Sequence, residues 1–160
     1  MEQVFKDGNG RELPMISLAG DKYVIDLEHE QLFSVANPRK YIGLNNLDLA
    51  SDSDSFECFF DLKSRAITAI SPYIMHVPDD VVMLRIPMDY KLDPVWYRRQ
   101  FHWDDKIPQQ DQPITKELQA EVIPLRKTYV ARLALENIMK AFDKRHRVTI
   151  SMRHPRRHGR

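Results

Sequence analysis

The chain has 160 residues, of which 42% are hydrophobic and 29% are charged, with a formal net charge of +1. This length corresponds to about one domain of roughly 100–200 residues, and the composition excludes a disordered or fibrous protein. The single cysteine, Cys58, excludes an intramolecular disulfide framework and a zinc site made of several thiolates. No uncharged run approaches the roughly 18 residues that span a membrane. We therefore expect a soluble, cytoplasmic protein with no membrane partner.

Alternating hydrophobic and polar residues predict β-strands through the first half of the chain. Two pairs of strands flank the short turns Ala19-Gly20-Asp21 and Lys63-Ser64-Arg65, and each pair is therefore a predicted hairpin. In the second hairpin, Phe56, Cys58 and Phe60 share one face. The predicted strands cover residues 13–18, 22–28, 31–35, 56–62, 66–70 and 81–86. Together they predict an antiparallel meander sheet of five or six strands.

Prolines interrupt this pattern and predict a connector over residues 87–114. Within the connector, Asp93 followed by Pro94 predicts the start of a short helix over residues 95–101. The connector is expected to wrap over the sheet.

A long helix is predicted over residues 115–145, kinked at Pro124 because proline disfavours helical geometry at the residue before it. The helix carries an apolar stripe with spacings of three and four residues, which we expect to pack on one face of the sheet. The stripe consists of Thr128, Ala131, Leu135, Ile138 and Phe142. Glu136 and Lys140 lie on another face with the i,i+4 spacing of an ion pair. The predicted fold class is therefore α+β, one antiparallel sheet packed by one long C-terminal helix.

Charge is divided unevenly along the chain. Residues 144–160 contain seven basic residues and no acidic residue, whereas the other 143 residues contain 17 basic and 23 acidic residues. Strict alternation over residues 147–153 predicts an edge strand that precedes a short tail. We therefore divide the chain into a single α+β domain over residues 1–145 and a basic C-terminal strand and tail over residues 146–160. The asymmetry indicates an anionic partner for the basic segment.

Two groups of residues are candidates for binding nucleic acid. Arginines without nearby acids match the geometry of phosphate, and interleaved aromatic and arginine residues suit a single-strand binding surface. The first group is Arg145, Arg147, Arg153, Arg156, Arg157 and Arg160; the second is Arg98, Arg99 and Trp103. The alternatives are a solubilising tail without a partner and aromatic residues that are buried in the core.

Other candidate sites receive less support from the sequence. His76 and His102 each precede a pair of aspartates that could bind a metal, but turn-forming acids explain the pattern more simply. The tract that starts at Asp52 fails as a calcium loop, because Glu57 stands where glycine is required and Lys63 where glutamate is required. We predict no catalytic residue, no metal ligand and no cofactor.

Three functional hypotheses follow from these patterns. The favoured one is a non-enzymatic binding module whose basic C-terminal segment contacts nucleic acid without sequence specificity. The second is a protein interaction or adaptor domain with an incidental basic tail. The third is a metal-dependent enzyme that uses the His76 and His102 groups.

Overall fold

The computed structural model describes residues 4–100 and 118–153, the last eight of these by their backbone. The described residues form ten β-strands in two sheets and three α-helices. The fold is therefore α+β with antiparallel sheets and a C-terminal helix, as predicted, but the strands form two sheets and not one meander. None of the helices in this part of the chain is long and apolar enough to cross a membrane.

The first sheet is an antiparallel meander of four strands, extended at one edge by a parallel strand from late in the chain. In spatial order its strands are β4 (Tyr41–Gly43), β3 (Gln31–Ser34), β2 (Asp21–Asp26), β1 (Met15–Leu18) and β9 (Leu118–Gln119). Ala19 and Gly20 join β1 to β2 with positive φ angles of 50° and 93°. Two such residues form the tight turn whose twist matches that of the flanking strands. The first predicted hairpin is thus confirmed.

The second sheet is built around two long antiparallel strands, β6 (Ser55–Asp61) and β8 (Val81–Pro87). The remaining strands are β5 (Asp48–Leu49) and β7 (Ala66–Thr68), which both pair with β6, and β10 (Glu121–Pro124), which pairs with β8. The predicted hairpin around Lys63-Ser64-Arg65 is confirmed by the pairing of β6 with β7. The central position predicted for β8 is confirmed because β8 lies between β6 and β10.

Both sheets contribute to one hydrophobic core. Period-two alternation directs one side of each strand into it. The first sheet contributes Ile16, Leu18, Tyr23, Ile25 and Leu32, and the second contributes Phe60, Val82, Leu84 and Ile86. Phe56 and Cys58 pack against this core beside Phe60, as predicted for β6. Burial of each large apolar side chain contributes roughly 1.5–3 kcal/mol.

A single run of chain completes both sheets. β9 and β10 are separated only by Ala120, whose N–H donates to the carbonyl oxygen of Ser17 at 2.9 Å. The helix predicted over this segment is therefore wrong for residues 118–124, and Pro124 ends a strand, so no helix is kinked there. The backbone groups of this segment form hydrogen bonds with β1 and β8 instead of within a helix. In addition, the residue before a proline favours the extended conformation. Residues 115–117 lie outside the described part of the chain.

The connector after β8 begins with two short helices, α1 (Asp89–Leu92) and α2 (Pro94–Gln100). The second confirms the short helix predicted after Asp93. Asp93 is 1% exposed and accepts a hydrogen bond from the N–H of Trp96 at 3.3 Å. The guanidinium of Arg11 binds the same carboxylate through both of its terminal nitrogens. The N-terminal segment is thereby fixed to the helical connector.

The third helix, α3 (Tyr129–Arg153), has 25 residues and is about 37 Å long. It includes residues 147–153, so the edge strand predicted there is wrong. Each added helical residue gains one backbone hydrogen bond without a new nucleation cost, whereas a strand would need a sheet edge as its partner. The predicted division into a domain over residues 1–145 and a basic segment over residues 146–160 stays a prediction.

Candidate interaction surface on helix α3

The first turns of α3 are fixed to the outer face of the second sheet. Val130 is fully buried and forms a second apolar cluster with Met83 and Leu125. Thr128 precedes the helix, and its hydroxyl oxygen accepts a hydrogen bond from the N–H of Val130 at 3.2 Å. Two turns later, the amide nitrogen of Asn137 donates to the carbonyl oxygens of residues 72 and 74 at 2.9 and 2.8 Å. The orientation of the helix on the body is therefore well defined.

The apolar stripe predicted to pack on the sheet is exposed, and the prediction is wrong. Leu135, Ile138, Met139 and Phe142 are 57%, 43%, 59% and 68% exposed. With Ala131, one turn earlier, we call these five residues the outer stripe. The residues that face the body share the spacing of the predicted stripe but each stands one position earlier in the chain: Val130, Ala134, Asn137 and Ala141. One position rotates a helix by about 100°, which separates the two faces.

Positive charge is concentrated on this part of the chain. Residues 125–160 contain 11 basic and two acidic residues, whereas residues 1–124 contain 13 basic and 21 acidic residues. Five exposed cations form no ion pair with any residue that the structure describes: Arg126, Lys127, Arg132, Lys140 and Lys144. The Glu136–Lys140 ion pair expected from their spacing is not formed. These cations are therefore available to an anionic partner.

Three basic positions of α3 occupy the side of the helix opposite the outer stripe. Positions 140, 144 and 147 follow one another at spacings of four and three residues and so share one face. At 100° per residue, this face lies about 180° from the outer stripe. The helix thus has an apolar side and a cationic side, which we call the cationic face.

The residues predicted to bind nucleic acid lie in three places. Arg145 is exposed on α3, and positions 147 and 153 lie on the last turns of the same helix. Arg98 and Arg99 lie on α2, where Arg99 is exposed and Arg98 is partly buried. The helix α3 therefore carries three of the nine, at positions on different sides of the helix, and the α2 pair is on a separate element. Trp103, Arg156, Arg157 and Arg160 lie outside the described residues.

The histidine and aspartate groups do not form a metal site in the described part of the chain. Within residues 4–100 and 118–153, no three His, Cys, Asp or Glu side chains are placed to hold a metal ion. His76 is exposed, and Asp80 forms an ion pair with Lys63 at 3.1 Å. His102 lies outside the described residues. The convergence of the two histidine groups is therefore not tested.

The acidic loop before β6 has a structural role. The carboxylate of Asp52 accepts hydrogen bonds from the N–H of Asp54 at 2.8 Å and from the hydroxyl of Ser55 at 3.3 Å. The first of these bonds is the main reason that the pKa of Asp52 lies below its usual value. Asp54 in turn accepts hydrogen bonds from Tyr90 and Lys91 on α1. These contacts fix the loop to the start of the connector.

Burial raises the pKa of the Cys58 thiol to about 12, which leaves almost no nucleophilic thiolate at neutral pH. This agrees with the position predicted for Cys58 between two phenylalanines on a packed strand. The residue therefore acts as a small core side chain and gives no support to nucleophilic catalysis.

A cavity of about 500 Å³ lies beside the start of α3 and was not predicted from the sequence. Its lining includes Phe59, Ile70, Met83 and Tyr129, with the carboxylates of Asp48 and Glu57. Glu57 is paired with Arg85 at 3.1 Å, so Asp48 is the less neutralised of the two acids. The residues that line the cavity come from four strands, two connecting segments and the start of α3, and no local sequence pattern marks such an assembly.

Comparison with protein-family models, with curated proteins and with solved structures finds no match.

Proposed function

We propose that the chain is a non-enzymatic binding module that presents α3 to nucleic acid and contacts its phosphates without reading its bases. The observation that carries this proposal is the set of exposed cations on and before α3 that form no ion pair with described residues. Cations that are not held in an ion pair can contact phosphates directly and release the counterions condensed on nucleic acid.

The placement of these cations also supports the proposal. Among the described hydrogen bonds, those from Asn137 hold α3 to the body, and Lys140 and Lys144 follow Asn137 along the helix. Along the sequence, these cations are separated from most of the acidic residues, which lie within the first 124 positions. This separation reduces the repulsion between those acids and an approaching phosphate backbone.

Salt dependence of binding is the direct test. A fluorescently labelled oligothymidine strand and a random-sequence duplex of the same length are titrated with the protein over a series of salt concentrations. Each phosphate contact contributes a slope of about −0.7 to −0.9 to the plot of log affinity against log salt. K140Q/K144Q should therefore flatten the slope by about 1.4–1.8, which is the loss of two contacts.

The matched control removes two cations that lie outside α3. K6Q/R39Q changes the net charge by the same amount, at two exposed positions far along the chain from α3. It should leave the slope within error of the wild type. Equal slopes for wild type and K140Q/K144Q, or equal losses in both double variants, would contradict the proposal.

The second candidate function is a protein interaction module, and the outer stripe is the observation that favours it. On soluble proteins, several large apolar side chains that are exposed next to one another mark a surface that contacts a partner.

A further inference from the structure

The outer stripe has the spacing of a helix contact surface. Leu135, Ile138, Met139 and Phe142 stand at positions i, i+3, i+4 and i+7, and each is at least 43% exposed. Single exposed apolar residues are common, but four large ones on adjacent turns are not. Such a row is how one helix meets another helix or a groove.

We propose that the outer stripe binds the outer stripe of a second copy of this chain, with the two α3 helices antiparallel about a two-fold axis. The sizes of the side chains fit this arrangement. When Leu135 of one copy lies opposite Ile138 of the other, Ala131 lies opposite Phe142, so the smallest member faces the largest. The symmetry repeats both contacts, as in any isologous dimer.

Charge complementarity selects the antiparallel orientation. Arg132 and Asp143 each follow a member of the outer stripe by one position, so they lie on the same flank of the helix. In the antiparallel pair, Arg132 of each copy lies within about two residues of Asp143 of the other. A parallel pair would instead bring the two basic segments over residues 144–153 together, at a cost in repulsion.

The size of the contact sets its expected strength. Two helices that meet over about four turns bury less than the roughly 1,200 Å² of a standard protein interface. We therefore expect a dimer that dissociates at micromolar concentration and not a permanent one. The cationic face points away from the contact, so dimerisation leaves it accessible.

Sedimentation velocity of the full chain between about 1 and 100 µM tests the proposal, because micromolar affinity should shift the species from monomer to dimer over this range. I138D should remain monomeric at every concentration, with an unchanged circular dichroism spectrum because the side chain is exposed. A wild type that stays monomeric throughout, or an I138D variant that still dimerises, would overturn it.

Charge exchange tests the orientation without relying on an apolar substitution. R132D and D143R should each weaken the dimer at least tenfold, and R132D/D143R should restore it, because the two residues meet only between copies. Failure of the double variant to recover would overturn the antiparallel arrangement. A monomeric wild type that co-sediments with vesicles of phosphatidylcholine and phosphatidylserine through Ile138 would instead assign the outer stripe to a lipid surface.

The inference is independent of the proposed function. I138D should keep the salt slope of the wild type for nucleic acid, and K140Q/K144Q should keep its dimerisation. The two proposals can therefore fail separately.

Discussion

Arg65 donates a hydrogen bond from Nε to the carboxylate of Asp21 at 2.8 Å and so joins the turn between β6 and β7 to the first residue of β2. A terminal nitrogen of the same guanidinium donates to the carbonyl oxygen of Ala19, and its centre lies 5.3 Å from the ring centroid of Phe60. One side chain therefore makes a charge-assisted bond, caps a hairpin carbonyl and covers a core aromatic.

We predict that R65A lowers the free energy of unfolding by about 1–2 kcal/mol, since hydrogen bonds from charged groups contribute more than exposed ion pairs. R65K should recover only part of this loss, because an ammonium cannot bond Asp21 and Ala19 with the same fork geometry. K63A breaks the exposed Lys63–Asp80 pair and should cost less than about 0.5 kcal/mol. Urea unfolding of the three variants measures the difference, and equal effects of R65A and K63A would contradict it.

The Arg11–Asp93 pair should be sensitive to removal of one partner. Asp93 is buried, so R11M leaves a carboxylate without compensation and should cost about 3–5 kcal/mol. R11M/D93N removes that charge while it keeps an oxygen acceptor for the N–H of Trp96, and should be more stable than R11M alone. Urea unfolding at neutral pH compares them. A double variant less stable than R11M would show that the buried charge is not the cause.

Two leucines distinguish the buried cluster beneath the start of α3 from the exposed side of the helix. L125A removes a fully buried side chain and should cost about 2–5 kcal/mol. L135A makes the same substitution in the outer stripe and should change stability by less than about 0.5 kcal/mol. Thermal unfolding at about 1 µM, below the expected dimer range, compares the two. A cost for L135A as large as that for L125A would mean that the outer stripe is buried.

The lowered pKa of Asp52 predicts a loss of stability in acid. Hydrogen bonds, chiefly from the N–H of Asp54, favour the ionised carboxylate in the folded state. The stabilisation is present above the unfolded pKa, about pH 4, and disappears as the pH falls through the lower folded value. D52N keeps an acceptor oxygen but cannot titrate, so its melting temperature should fall less than that of the wild type between pH 5 and about pH 3. D79N, at an exposed loop position, is the charge-matched control and should follow the wild type.

The hairpins could be predicted because turn chemistry and strand alternation coincide in them. At residues 19–20 the turn precedes a strand whose core residues, Tyr23 and Ile25, stand two apart. Three strands of two or three residues were missed: β4, β5 and β9. A segment this short cannot show alternation, and its strand conformation depends on a neighbouring strand that lies elsewhere in the sequence. For this reason the sequence did not reveal that the strands form two sheets and not one.

The buried face of α3 could not be predicted from the spacing of its residues, because two faces of the helix carry apolar residues at the same spacing of three and four. The larger side chains of Leu135 and Phe142 make the outer stripe the more hydrophobic face, which predicts that it is the buried one. The sheet instead receives Val130 and Ala134, whose small side chains allow a close approach of helix and sheet. Composition identified the basic segment that starts at residue 144 but not its helical conformation over residues 147–153, and its role in binding stays a prediction.

The parallel pairing of Ile16 with Leu118 joins positions that are 102 apart in the chain. Residues 118–124 then continue into the second sheet, so neither sheet acquires its last partner until this stretch has been synthesised. Contacts of such long range slow folding. During translation the early meander must therefore wait with one edge of β1 open, and the two sheets should reach their final form in a single late, cooperative step.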